Sequence, residues 1–136
     1  MAYEISKSLI YKPNRTETQL GVADTQQLQD QIVVATILRA GLPMHQGMVR
    51  MFSNAESAFV SAYRKEELNG DFDVRVALMS CPILTGKVLI ICDPVIATGL
   101  SMALSLRKLL ENGKPSQIHI ATVIAAQQGI KHLKRY

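Results

Sequence analysis

Val88-Leu89-Ile90-Ile91-Cys92-Asp93-Pro94-Val95-Ile96-Ala97-Thr98-Gly99-Leu100-Ser101-Met102 contains three different sequence patterns in succession. Val88 to Cys92 is an unbroken apolar run with β-branched residues, preceded by Gly86. Such a run fits a strand buried on both faces, as in a parallel sheet. Asp93 to Ser101 mixes one acid with small and hydroxyl residues, which fits a turn. From Met102 to Leu110 the apolar residues at 102, 106, 109 and 110 share one side of a helix. Strand, small polar loop and helix together predict an oxyanion site, because loop amides and a helix N-terminus both favour negative charge.

Asp93 ends the strand, so its carboxylate is expected at the carboxyl edge of the sheet, where open α/β folds bind ligands. There it can accept hydrogen bonds from sugar hydroxyls or hold a metal ion through water. Thr98 and Ser101 offer hydroxyls to phosphate oxygens, and Gly99 permits close backbone approach. Helix capping by Thr98 or Ser101 is the simpler alternative. Capping accounts for Ser101 but not for the whole string, because a buried strand ending in a lone acid needs a partner for that acid.

A second apolar run, Ile32 to Leu38, is followed at once by Arg39-Ala40-Gly41. The run predicts another doubly buried strand, the small residues a tight loop, and the arginine a bidentate grip on an anion. An ordinary surface arginine in a βα turn would look the same when taken alone. Pro43 to Phe52 predicts a helix with proline at its start, its apolar side made of Met44, Met48, Met51 and Phe52. His45 is expected at the surface or in an interface. Ala58 to Tyr63 predicts a strand, and the charged cluster Arg64 to Glu67 a solvated turn. Asn69-Gly70 signals a further turn, and Asp73 to Ser80 is expected to pair with an earlier piece as a projecting hairpin.

Met1 to Tyr11 predicts an amphipathic helix stopped by Pro13. The stretch from Arg15 to Gln31 is polar, with a hint of a strand at Leu20 and Val22. Asn112-Gly113 and Pro115 end the helix that begins at Met102. Gln117 to Ala126 predicts a strand with His119 near solvent, Gln127 to Gly129 a turn, and Ile130 to Arg135 a helix. The alternation of strands and helices predicts one α/β domain over 1–136, with a mostly parallel twisted sheet flanked by helices. Residues 1–31 would be an N-terminal helix and polar connection, and 32–136 the ligand-binding core.

The 136 residues suffice for one domain, and 48% are hydrophobic. No apolar run approaches the roughly 20 residues of a membrane-spanning helix, and Met1 to Lys7 lacks a signal-peptide layout. Cys81 and Cys92 have no metal-ligand spacing, which predicts reduced thiols in a cytoplasmic protein. The net charge of +4 suits a polyanionic small substrate, and equally RNA.

Asp93-Pro94-Val95-Ile96-Ala97-Thr98-Gly99-Leu100-Ser101-Met102 resembles the phosphoribosyl pyrophosphate (PRPP) motif of type I phosphoribosyltransferases. Its Asp-Pro opening and Ala-Thr-Gly core are similar to those of the uracil phosphoribosyltransferase branch. Leu100 stands where the family pattern has a second glycine, so its side chain is expected to point away from the phosphate. Leu38-Arg39-Ala40-Gly41-Leu42 resembles the pyrophosphate loop of that branch. Tyr63-Arg64-Lys65-Glu66-Glu67 is similar to a segment whose arginine contacts PRPP, and Ala125 to Ile130 fits its Ala-Ala-x-x-Gly-Ile pattern.

The resemblance implies transfer of phosphoribose from PRPP to uracil, giving UMP and pyrophosphate. It implies Arg39, Arg64 and Asp93 as catalytic residues. PRPP would be held by these three with Ala40, Gly41, Pro94, Val95, Ile96, Ala97, Thr98, Gly99, Leu100 and Ser101. Mg²⁺ would be bound mainly through PRPP, and a homodimer or higher homo-oligomer is expected. The family's Pro-Gly-x-Gly-Asp-Ala stretch, which recognises uracil, is not among these residues. The PRPP half of a site is therefore expected here and the uracil half is not. Two other readings remain open, a homologue that folds without catalysis and an RNA-binding pyrimidine regulator. The sequence lacks the basic stripe interleaved with aromatics that RNA binding favours.

Overall fold

β3 (Ile32–Leu38) and β6 (Val88–Cys92) lie side by side and parallel, in register from Ile32 opposite Val88 to Thr36 opposite Cys92. Every residue of β6 is buried, as is all of β3 but Leu38. Alternate side chains feed two separate apolar layers. Val33, Ala35, Leu89 and Ile91 face one layer. Ile32, Val34, Val88, Ile90 and Cys92 face the other. That double burial is why both runs lack polar alternation.

This computed structural model describes residues 1–66 and 72–135, with side chains for 1–62 and 77–135. From β3 the chain passes through α2 (Leu42–Met51) to β4 (Glu56–Glu66), which pairs parallel to β3 on its other side. β5 (Phe72–Ser80) returns antiparallel to β4 at the sheet edge, with a register shift between Ser61 and Ala62. After β6 come β7 (Val95–Ile96), α3 (Leu100–Leu109) and a 3-10 turn at Leu110–Asn112. β8 (Gln117–Ala121) then pairs parallel to β6. The order β5-β4-β3-β6-β8 gives four parallel strands and one antiparallel edge strand. α2 supplies Met48 and Phe52 to one layer, and α3 supplies Met102, Leu106 and Leu109 to the other. The α/β architecture is thus the one expected. The predicted hairpin formed by Asp73 to Ser80 is present as β4–β5. Its Asn69-Gly70 turn lies outside the described residues.

The N-terminal region differs from expectation. The helix is short, α1 (Ala2–Ser6). Tyr11 to Leu28 is an antiparallel ribbon of β1 (Tyr11–Thr18) and β2 (Gly21–Leu28), paired from Tyr11 opposite Leu28 to Thr18 opposite Gly21. No residue of the ribbon is fully buried. It is held by its own ladder and by turn contacts such as Thr18 Oγ1 donating to the Gly21 carbonyl at 2.7 Å. Among the described residues of the ribbon only Leu28 packs against the core, so the apolar alternation that marks it is confined to the hint at Leu20 and Val22, of which Val22 lies in β2. Pro13 sits within β1, which a ribbon permits because each of its strands has a free edge.

Smaller corrections have similar causes. His45 is buried, 7% exposed, with its ring centroid 5.0 Å from that of Phe59. Burial holds its pKa below the usual 6.5, against a smaller opposing hydrogen bond to the Val34 backbone. Met51 was assigned to the apolar side of α2 and is exposed instead. The expected strand 117–126 is broken after Ala121, and β9 (Ile124–Ala125) pairs with β7. The expected turn at Gln127 to Gly129 is the first turn of α4 (Gln127–Leu133).

Ile90 is fully buried in the central strand pair, whereas Leu20 at the ribbon tip is fully exposed. Ile90→Ala should therefore cost about 2–5 kcal/mol, and Leu20→Ala no more than about 0.5 kcal/mol. Urea denaturation midpoints measure both.

Candidate functional site

The sheet has its switch point between β3 and β6: one crossover leads away to β4, the other to β8. Ligands in open α/β sheets bind beyond the carboxyl ends of the strands at such a point. Two loops lie there. Arg39-Ala40-Gly41 follows β3, and Asp93 onward follows β6.

The first loop is seated on the second strand. Gly41 is buried, and a Cβ there would lie 2.0 Å from Thr36 Oγ1, 2.8 Å from the Cys92 carbonyl oxygen and 2.9 Å from that of Ile37. Thr36 Oγ1 itself donates to the Cys92 carbonyl at 3.2 Å. The start of α2 thus rests on the residue just before Asp93. Pro43 falls in the first turn of α2, and the Leu38–Arg39 peptide is cis. Arg39 and Ala40 are exposed, and Arg39 has no salt bridge among the described residues.

The second loop is fastened by backbone. The Asp93 amide donates to the Ala121 carbonyl at 3.1 Å, and the amides of Val123 and Ile124 both donate to the Pro94 carbonyl at 3.1 Å. The β7–β9 pair continues this seam. The loop then encloses a pocket of about 170 Å³ lined by Asp93, Val95 to Gly99, Ser101 and Met102.

Gly99 stands at the N-cap of α3 with φ +80°, and no side chain caps the helix. Its carbonyl accepts the Ala103 amide at 2.9 Å. The Leu100 amide reaches Thr98 Oγ1 only at 3.4 Å. The amides of Ser101 and Met102 have no partner among the described residues. Capping, the simpler account of Thr98 and Ser101, is therefore not what those hydroxyls do. The helix presents uncapped donors to the pocket, the arrangement that binds oxyanions. Leu100 is exposed and does not line the pocket.

Asp93 is half-buried. Burial raises its pKa above the usual carboxylate value, while a hydrogen bond from the Val95 backbone pulls the other way. Beside it the Cys92 thiol is fully buried and pushed up to about 11, which leaves it protonated and unreactive. No group of three or more His, Cys, Asp or Glu side chains is placed to hold a metal among the described residues. The lone Asp93 carboxylate suits a cation that arrives with its own phosphate ligands, as Mg²⁺ commonly does.

Arg64 belongs to β4, with its backbone paired to Val74. Leu38 pairs with Ser61, so Arg64 stands about 10 Å of strand beyond the end of β3. Its side chain lies outside those described. Arg39 to Gly41 and Asp93 to Ser101 are thus brought to one edge of the sheet.

Sequence reasoning gave Thr36 no role, and gave Gly129 only as a turn residue and as part of the Ala-Ala-x-x-Gly-Ile match. Thr36 was detectable as the only polar residue in the run Ile32 to Leu38. Gly129 is the buried residue of α4.

This is the fold of the phosphoribosyltransferases. A purine phosphoribosyltransferase from Pyrococcus horikoshii superposes with a TM-score of 0.61 at 15% identity, over 71% of this chain and 62% of that one. A protein of Aquifex aeolicus gives 0.86 at 30% identity, over 98% of this chain and 63% of its own. The sequence model of the uracil phosphoribosyltransferase family matches residues 1–136, and the chain belongs to that family. Uracil phosphoribosyltransferase of Porphyromonas gingivalis is 48% identical over 98% of this chain. That of Methanothermobacter thermautotrophicus is 34% identical over 96%. The chain spans 62% and 60% of the lengths of these two relatives.

The raised pKa of Asp93 sets a stability prediction. The folded protein holds this proton more tightly than the unfolded chain. Stability therefore falls as pH rises from the ordinary value of 3.8 through the raised one. Asp93→Asn stays neutral and keeps an acceptor for the Val95 amide. Its melting temperature should exceed the parent's at pH 7, with the gap closing as pH falls through that window. Scanning calorimetry across pH measures this.

Proposed function

We propose that the protein transfers phosphoribose from PRPP to uracil, giving UMP and pyrophosphate, and that these residues hold PRPP. One observation carries the reading. Two anion-suited loops, one with an arginine and one with uncapped helix amides, lie at the ends of adjacent parallel strands. PRPP has a single 5′-phosphate at one end, a pyrophosphate at the other and a ribose between them, which matches two separate anion-suited loops.

The amides of Gly99 to Met102 and the hydroxyls of Thr98 and Ser101 take the 5′-phosphate. Pro94 to Ala97 form the wall beside it. Asp93 accepts from the ribose hydroxyls. Arg39, with the Ala40 amide and the close approach that Gly41 allows, takes the pyrophosphate, and Arg64 reaches the same group from β4; the Gly41 amide itself is held by the Ile37 carbonyl at 3.1 Å. Asp93 would be the protein group nearest a Mg²⁺ that arrives with PRPP, and the ion would supply charge neutralisation. At the anomeric carbon the bond to pyrophosphate oxygen breaks and a bond to the uracil nitrogen forms. The arginines stabilise the departing negative charge, and the loops hold the ribose in line. No protein nucleophile is required.

The unit 1–136 is taken as a single domain, and assembly as a homodimer or larger homo-oligomer is part of the proposal. So is a reducing, cytoplasmic setting, supported by two free thiols. No helix among the described residues is long and apolar enough to cross a membrane.

Calorimetric titration of the 136-residue polypeptide with PRPP and Mg²⁺ should give saturable binding, and its absence would refute the reading. Arg39→Ala should weaken pyrophosphate binding by about 1.5–3 kcal/mol, as for a charge-assisted contact. Lys12→Ala, on the exposed ribbon, should change it by less than about 1 kcal/mol. Equal losses would remove Arg39 from the site.

Radiolabelled uracil at saturating PRPP and Mg²⁺ tests the base half. The 136 residues contain no Pro-Gly-x-Gly-Asp-Ala stretch. They should turn over uracil far more slowly than the longer Porphyromonas gingivalis relative. A loosely held base forfeits much of the ~7–11 kcal/mol that orientation can supply. Comparable, uracil-selective turnover would put the base site within these residues.

A further inference from the structure

We propose that Gly129 on α4 is a positioning residue that sets the 97–101 loop for its phosphate. The proposal rests on the PRPP reading and deepens it. α4 does not line the pocket, yet its first turn is pressed against the back of the loop. A Cβ on Gly129 would lie 2.6 Å from the Ala97 carbonyl oxygen, 2.8 Å from Ile96 Cγ2 and 3.2 Å from the Gly99 amide nitrogen. The contact is reciprocal. A Cβ on Gly99 would lie 2.8 Å from the Gly129 carbonyl oxygen and 3.3 Å from Leu133 Cγ. The Ala126 amide donates to the Ile96 carbonyl at 2.8 Å, closing the seam.

Two of the three atoms against Gly129 are backbone, so no side-chain rotation makes room for a methyl. Either the loop or α4 must shift, and the Ala126–Ile96 hydrogen bond ties the two together, so a shift is passed to the loop. That displaces the Gly99 to Met102 amides, whose hydrogen bonds tolerate only a few tenths of an ångström. The Arg39 loop would not follow, because it is seated separately on Thr36 and Cys92. A methyl at 129 should therefore damage one end of the donor site and spare the other.

The test uses two probes, ribose 5-phosphate and inorganic pyrophosphate with Mg²⁺, titrated calorimetrically into the parent and Gly129→Ala. The variant should lose roughly ten-fold or more in ribose 5-phosphate affinity, as small misplacements in binding sites do, with pyrophosphate affinity unchanged. A purely structural role would lower both affinities together, and that result overturns the proposal, as does no change in either. Should Gly129→Ala not fold, Leu133→Ala removes the side chain that backs Gly99 and should give the same one-sided loss. Equal or absent losses there overturn the proposal too. A parent protein that binds neither ribose 5-phosphate nor PRPP would sink the PRPP reading itself, and this proposal with it.

Discussion

The structure depends on one close approach: the start of α2 rests against the carboxyl end of β6 with no space for a Cβ at Gly41. Thr36 makes that approach possible. It is fully buried, and its hydroxyl donates to the Cys92 carbonyl at 3.2 Å, which satisfies the buried hydroxyl. With the contact made, Arg39 leaves its strand two residues beyond the level at which Asp93 leaves the neighbouring one. A substitution that wedged α2 away would separate the two loops proposed to bind anions without touching either one's polar groups.

The parts of the fold that were legible in the sequence are those governed by burial. Ile32 to Leu38 and Val88 to Cys92 were bounded to the residue, because short β-branched apolar runs flanked by turn residues fit a strand covered on both faces better than a helix. Of the ribbon only a hint at Leu20 and Val22 was legible, because its stability comes from cross-strand pairing and most of its side chains face solvent. His45 was misplaced because hydropathy treats an imidazole as polar, whereas its ring packs on Phe59. Of the site, the loops themselves could be read, since an acid, a glycine and hydroxyls after an apolar run have few other uses. What held the loops could not. Gly41 and Gly129 matter for the volume they lack, and a missing Cβ has no signature until the opposing backbone is known.

The site is costly to the fold. Asp93 sits where burial disfavours its charge, and α3 begins without a side-chain cap, which commonly forgoes about 0.5–2 kcal/mol. Each feature costs the ligand-free protein stability, and under the proposed function each is offset when an oxyanion or a ribose binds. Sites that await a ligand are often less stable than the surrounding scaffold for this reason. Here the scaffold bearing that cost is the buried pair β3–β6, the best-packed part of the molecule.

The uncapped start of α3 also bears on how this family can diverge. Its donors are main-chain amides, and every residue but proline supplies one. Mutation can exchange the side chains along the loop and leave the donors where they are, as Leu100 illustrates by projecting away from the pocket. Selection at such a loop acts on backbone shape more than on chemical identity. The changes it must purge are those that add bulk at a seam or delete an N–H. Sequence drift can then run far, and a comparison that scores matching polar side chains will understate how much of the loop has been retained.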